Sequence, residues 1–325
     1  AGLLIGYLVF GIPANMVEYL YLLRKENSKI IRYGIVSFVF QLICVLLPAA
    51  MGAGIRISLA GLLISMVARW CWLLVILLKY HRGRFSTAVT RKLMVLAWPL
   101  MVSALLSGSA QYVDGFIITS RFSREVFAIF QYGARELPLA VLLANALGNS
   151  LLPEFKNRNN LNATLVMLKE NSRKLMHFLF PLTMVLLLFS HPLFPVIFNP
   201  AFAASATIFN IYLLLVISRL VFPQIILTGL AYTKEIMLAS FLELIVNVVF
   251  SLALVSWLGI AGVAAGTVIA FLFEKILLSA LVRRKLGIRA SGYIPLKLLG
   301  AYSVMTGVVF IFAELIVSKY GLLVG

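Results

Sequence analysis

Ten runs of about 20 predominantly apolar residues fill this chain, at 2–23, 30–50, 59–79, 93–119, 126–152, 174–190, 204–230, 236–257, 260–281 and 293–318. A helix rising 1.5 Å per residue needs about 20 residues to cross the hydrocarbon of a bilayer. Lipid offers no partner to backbone N–H and C=O groups, so a spanning segment must be a helix or part of a closed barrel. Barrel strands alternate in polarity over about ten residues, and these runs do not. The expected fold class is therefore all-α, a polytopic membrane bundle of about ten helices. Composition agrees, with 62% hydrophobic and 12% charged residues, about half the charged share of a soluble domain.

The 325 residues carry a formal charge of +17. A nucleic-acid partner would need those charges gathered on one solvated face. They lie instead in short runs between apolar stretches, so no nucleic-acid partner is expected. Segments 24–32, 79–92 and 153–174, Lys234 and segment 283–289 hold 19 of the 28 Lys and Arg; the alternate loops hold four, Arg56, Arg121, Arg124 and Lys319. The basic side is read as cytoplasmic, which places residue 1 outside. The longest outer loop, HPLFPVIFNPAFAAS (191–205), has no Lys or Arg and no room for an external catalytic domain. The loop 153–173 is polar and is read as a surface loop with room for one amphipathic turn. Cys44 and Cys71 form no framework, and His81, His177 and His191 are scattered, so neither metal nor cofactor is expected. Tyr19, Tyr21, Trp70, Trp72 and Tyr302 read as interface anchors or packing residues.

The three helices within 2–79 have echoes in 204–281. Pro13 corresponds to Pro223, Lys25-Glu26 to Lys234-Glu235, Ser37-Phe38 to Ser240-Phe241, Ala60-Gly61 to Ala261-Gly262 and Arg82 to Arg283. The offset drifts only from 210 to 201, as a duplicated transporter block with a few loop deletions would. Three further helices, 93–190, lie between the blocks. This implies a six-helix lobe at 93–285, an additional helix at 286–325, and at 1–92 the last three helices of a preceding lobe with a basic inter-lobe loop. The chain opens at Ala1 without Met or signal-peptide n-region. The expectation is that three earlier helices are missing.

Two six-helix lobes joined by a basic loop resemble the multidrug/oligosaccharidyl-lipid/polysaccharide exporter superfamily. The stretch WPLMVSALLSGSAQYVDGFIITSRFSREVFAIFQYGARELP (98–138) resembles the first two helices of the second lobe in its polysaccharide-flippase and lipid II flippase branches. FPVIFNPAFAASATIFNIYLLL (194–215) and NVVFSLALVSWLGIAGVAAGTVIAFLFEK (247–275) resemble later helices of that lobe. The resemblance covers most of 30–285. It implies a 12- to 14-helix, two-lobe transporter that moves a polyprenyl-pyrophosphate-linked oligosaccharide or lipid II-like precursor across the bacterial inner membrane by alternating access, for surface polysaccharide or cell-wall synthesis. The implied partners are the lipid-linked glycan, membrane lipids and glycan-assembly enzymes.

Ionisable groups inside a membrane are costly and mark cavities or partners. Lys275, Lys297, Glu18, Glu274 and Glu314 lie near span ends and are read as reaching water. Arg69, Arg135 and Arg219 lie deeper. Neighbours on a helix point about 100° apart, so Glu136 is not expected to neutralise Arg135. Asp114 is expected to pair with Arg135, and Glu243 with Arg219. Two roles stand open for these pairs: interhelical packing, or a cavity that binds pyrophosphate through the planar fork of arginine. The candidate substrate-binding set is Arg135, Arg219, Arg69, Glu136, Asp114, Glu243 and Asn145, with Pro138 as a hinge. A drug or cation antiporter of the same superfamily should be dominated by carboxylates. A glycan polymerase or ligase should carry a large outer loop. Deep arginines and short outer loops favour the flippase.

Overall fold

A computed structural model describes residues 2–80, 86–156 and 160–320. His81, Arg82, Arg84 and Arg158, and with them the Arg82–Arg283 echo, lie outside the described residues. Regular structure among the described residues is helical. The elements are α1 Gly2–Ala14, α2 Met16–Leu23, α3 Asn27–Ala50, α4 Ile55–Tyr80, α5 Thr87–Arg121, α6 Arg124–Gly133, α7 Pro138–Leu151, α8 Leu161–Ile197, α9 Ser205–Leu213, α10 Val216–Arg219, α11 Pro223–Gly229, α12 Thr233–Leu258, α13 Ile260–Leu286 and α14 Leu296–Tyr320. Eight helices are long and apolar enough to cross a membrane, or ten when two bent pairs each count as one span. The pairs are Arg124–Gly133 with Pro138–Leu151, bent by 49°, and Ser205–Arg219 with Pro223–Gly229, bent by 48°. The protein is a multi-pass membrane protein, and each of the ten expected spans has its helix.

Two loop expectations fail. α8 begins at Leu161 and ends at Ile197, taking in most of the polar segment 153–173 and the first half of the outer loop 191–205. Its buried face explains why. Leu165, Leu168, Ser172, Met176 and Leu179 are buried at the three- and four-residue spacing of a helix packed on one side. The polar residues between them occupy the opposite face. Averaged hydropathy across the segment hides that stripe.

The chain forms two compact units, Ala1–Thr87 and Ala88–Gly325. In the first, α4 packs against α1 and α3, and Val17, Tyr21, Tyr33, Leu73 and Ile76 make a small core. A Cβ on Gly61 of α4 would collide with the carbonyl of Cys44 on α3, so only glycine permits this approach. In the second, α12 and α13 form the most intimate helix pair, and a Cβ on Gly262 of α13 would collide with the carbonyl of Leu254 on α12. Gly61 and Gly262 are the echoed glycines of the sequence repeat. Each sits on the third helix of its block and lets it close on the second. The sequence echo thus has one structural job, performed twice.

Two apolar clusters build the second unit. One gathers residues of α7, α8, α11, α12 and α13, with Tyr293 and Ile294 ahead of α14. The other gathers Ile117 and Ile118 of α5, Phe130 of α6, Ile208 and Tyr212 of α9, and Val263 and Phe271 of α13.

Candidate functional site: a polar cavity at two broken helices

Both bent pairs break at a proline. Proline cannot donate a backbone hydrogen bond and disfavours helical geometry in the residue before it. Leu137 is accordingly extended (φ −62°, ψ 109°), and Pro138 occupies the first turn of α7. Phe222 leaves the helical region (φ −115°, ψ 41°), and Pro223 opens α11. Residues 134–137 are not helical, so Pro138 ends one helix and starts another; it does not kink a continuous one. Glu136 is thereby placed just ahead of the N-terminus of α7, and Arg219 at the C-terminus of α10. A carboxylate at a helix start and a cation at a helix end both complement the backbone dipole.

The two charges meet. Arg219 Nε and Nη2 donate to the two Glu136 oxygens, each at 2.6 Å, a fork-to-fork pair. The guanidinium also lies 5.1 Å from the Phe271 ring centroid, within cation–π range. This corrects the expected pairing of Arg219 with Glu243. As expected, Glu136 does not pair with Arg135 among the described residues, although the reason is the broken segment and not a helical offset of about 100°. Glu243 instead accepts a 3.0 Å hydrogen bond from Ser107 through Oε2, while its Oε1 is buried and has no partner among the described residues.

Asp114 does not pair with Arg135 either. It is fully buried and accepts from Thr267 Oγ1 at 2.6 Å, Tyr212 OH at 3.2 Å and Asn247 Nδ2 at 3.3 Å. Three neutral donors satisfy its lone pairs and leave its charge to be balanced by a proton or a bound cation. The neighbouring oxygens belong to the class that hard cations prefer. Arg135, displaced into the helix break, is exposed and has no carboxylate within salt-bridge distance among the described residues. Its backbone N–H donates to the Gly133 carbonyl at 2.7 Å.

The Asp114 cluster continues a polar seam between α5 and α12. Ser103 and Ser240 share a hydrogen bond of 2.7 Å, Ser107 reaches Glu243, and Asp114 reaches Asn247. These positions recur at three, four or seven residues, so each helix presents them on one face. Neutral serine, asparagine and threonine at such spacing were not singled out in the sequence. The available signal was the stripe Ser240, Glu243, Asn247, Ser251 in an otherwise apolar helix.

A cavity of about 370 Å³ runs along this seam, lined by Ser107, Glu136, Asn145, Arg219, Gln224, Glu274 and Lys275 among others. A smaller one, about 220 Å³, shares Asn145, Arg219, Gln224 and Lys275 and adds Asn149. Lys275 does not snorkel to the surface: it is 9% exposed and bonds Glu274 at 2.7 Å. Glu314 also turns inward, accepting from Asn210 at 2.7 Å and Thr207 at 3.1 Å and pairing with His191 at 3.1 Å. Arg69 lies in the first unit. Its Nε donates to Tyr33 OH at 3.0 Å and its Nη2 lies 3.5 Å from Glu18, so Glu18 has a partner in addition to water. Trp72 donates to Tyr21 at 3.3 Å, Trp70 packs edge-on against Phe10, and Tyr302 stacks on Phe180.

A multi-span helical bundle whose broken helices set charged side chains on a membrane-embedded cavity defines a transporter. The comparisons place it further. The chain belongs to the lipid II flippase MurJ family, whose family match covers residues 34–324. Proteins of that family are flippases. Among solved structures, a lipid II flippase MurJ in an inward closed conformation is similar, with a TM-score of 0.58 at 16% identity over 98% of this chain and 71% of that one. A MATE transporter in a straight conformation is also similar, with a TM-score of 0.59 at 15% identity over 77% of this chain and 60% of that one. At these identities the structural likenesses show the fold. No curated protein matches the sequence significantly.

Proposed function

We propose that this chain carries a lipid-linked glycan of the lipid II type across the bacterial inner membrane by alternating access, with its basic loops cytoplasmic. The observation that carries the reading is the Glu136–Arg219 pair at the meeting of two proline-broken helices on the cavity wall. Arg219 is held by a carboxylate that a substrate pyrophosphate can replace with the same bidentate geometry. The guanidinium then contacts different groups in the empty and loaded states, which is the differential interaction a conformational switch requires. Arg135, one residue before Glu136 and without a carboxylate partner among the described residues, is the second proposed phosphate contact. Arg69 is the contact proposed in the first unit, and Asn145 supplies a neutral donor in the cavity. Asp114 and Glu243 act on the same lobe through the polar seam, and Pro138 is the pivot. Residues 1–92 form the end of a first lobe with the inter-lobe loop, 93–285 the second lobe, and 286–325 an added helix. Glycan-assembly enzymes on either side of the membrane are the proposed partners.

One observation favours a second reading, a cation or drug antiporter. Glu136, Glu243 and Glu274 outnumber Arg219 and Lys275 around the cavity and seam. The two readings separate in one assay. Proteoliposomes containing the protein are offered a fluorescent polyprenyl-pyrophosphate glycan or a lipophilic cation. Glycan translocation that Arg219→Ala abolishes supports the flippase; cation uptake indifferent to Arg219 supports the antiporter.

A further inference from the structure

A second built pocket lies away from this cavity, where α14 enters the membrane. α8 is 37 residues long, about 55 Å at 1.5 Å per residue, and exceeds the roughly 30 Å of bilayer hydrocarbon. Its first turns therefore project into the headgroup layer, where they pack against the short turn Ala290–Gly292 and the start of α14. Between them is a cavity of about 540 Å³ lined by three cations, Lys169, Arg173 and Lys297, one carboxylate, Glu170, and the apolar Val166, Pro295 and Leu296. Lys169 Nζ donates to the Ser291 carbonyl at 2.6 Å, which fixes the ammonium at the pocket mouth and leaves two of its three donors free. Lys297 is exposed and carries no ion pair among the described residues. Arg173 lies 3.9 Å from Glu170, with both side chains about half exposed, a contact too weak to neutralise it. Val166 and Leu296 are 57% and 47% exposed beside these cations.

Three cations, one of them anchored, in excess over one carboxylate and set beside an apolar wall at the level of lipid headgroups match one chemistry, a phosphate diester attached to acyl chains. We propose that this pocket binds the headgroup of an anionic membrane phospholipid and thereby clamps α14 to α8. Charge complementarity selects an anion. The exposed apolar wall selects a lipid over a soluble phosphate, which would leave Val166 and Leu296 in water. The inference rests on the membrane spans alone and stands whether or not the cavity at Arg219 carries a glycan.

The test is native mass spectrometry of the full chain released from detergent and titrated with phosphatidylglycerol, phosphatidylcholine or sn-glycerol 3-phosphate. The proteins are wild type, Lys297→Gln alone, the triple variant Lys169→Gln, Arg173→Gln, Lys297→Gln, and a control, Arg283→Gln with Arg284→Gln. Each cation near a lipid surface contributes roughly fivefold. The triple variant should therefore lose tenfold or more in phosphatidylglycerol affinity, Lys297→Gln a few-fold, and the control little. Phosphatidylcholine and glycerol phosphate should bind wild type weakly. Equal losses in the control, equal binding of phosphatidylcholine, or competition by glycerol phosphate would each overturn the proposal. Because Lys297 is exposed and has no ion pair among the described residues, its single substitution remains informative if the triple variant fails to fold.

Discussion

Two carboxylates of the second unit, the partly exposed Glu136 and the fully buried Asp114, are stabilised in opposite ways. Glu136 sits in a helix break and is held by the cation Arg219 through two hydrogen bonds of 2.6 Å. Asp114 sits inside the continuous helix α5 and is held by Thr267, Tyr212 and Asn247, all neutral. The first arrangement is a charge pair that another bidentate anion can enter. The second is a packed polar knot that an anion has no reason to enter, and whose charge answers to protons or small cations. Position in the fold decides the difference. A proline break frees backbone and leaves room for a long side chain to swing, whereas the interior of a helix seam does not.

The largest expected effect breaks the first arrangement. Arg219→Ala removes the phosphate fork and leaves Glu136 without its partner on the cavity wall, and because both side chains are partly exposed the stability cost should fall below the roughly 3–5 kcal/mol of a fully buried pair. Translocation should vanish and thermal stability in detergent should fall. Arg219→Lys keeps the charge but not the fork, and should recover stability more than transport. Glu136→Gln is next and sharper. It frees the guanidinium, so glycan-lipid binding should tighten by roughly 10- to 100-fold, the worth of one charge-assisted hydrogen bond, while transport slows because release no longer has a competitor. Asp114→Asn is third. It keeps the shape and removes the charge, so the fold should survive while any dependence of transport on a proton or cation gradient disappears; flux measured with and without each gradient checks this. The smallest effect belongs to the first unit. Arg69→Gln disturbs a pair whose Glu18 side chain is 52% exposed, so thermal stability should change by no more than about 1 kcal/mol.

The spans were legible because bilayer thickness sets a length that hydropathy reads directly. The break at Pro138 was half legible. Proline signals an interrupted helix, but whether the helix kinks or ends depends on what replaces the lost backbone bonds, and here Leu137 turns extended. That ambiguity hid the Glu136–Arg219 pair, since partners were assigned on the assumption of continuous helices. Lys275 and Glu314 were misplaced for a related reason. Distance from a span end says how far a side chain must reach for water, and nothing about a partner such as Glu274 or His191 on the inner face. Thr267, Asn247 and Tyr212 escaped notice because single neutral polar residues are common in membrane helices, and their meaning emerges only when three elements converge on one carboxylate. The glycine echo of Gly61 and Gly262 was readable from sequence order, and its role as a helix contact needed coordinates.

The central claim is that Glu136 competes with substrate for Arg219. The most direct measurement is the affinity of the full chain for a polyprenyl-pyrophosphate glycan, by native mass spectrometry, for wild type, Glu136→Gln and Arg219→Ala. The account predicts tighter binding in Glu136→Gln and lost binding in Arg219→Ala. Binding that weakens equally in both variants would contradict it, and would make the pair a packing contact that shapes the cavity without touching what it holds.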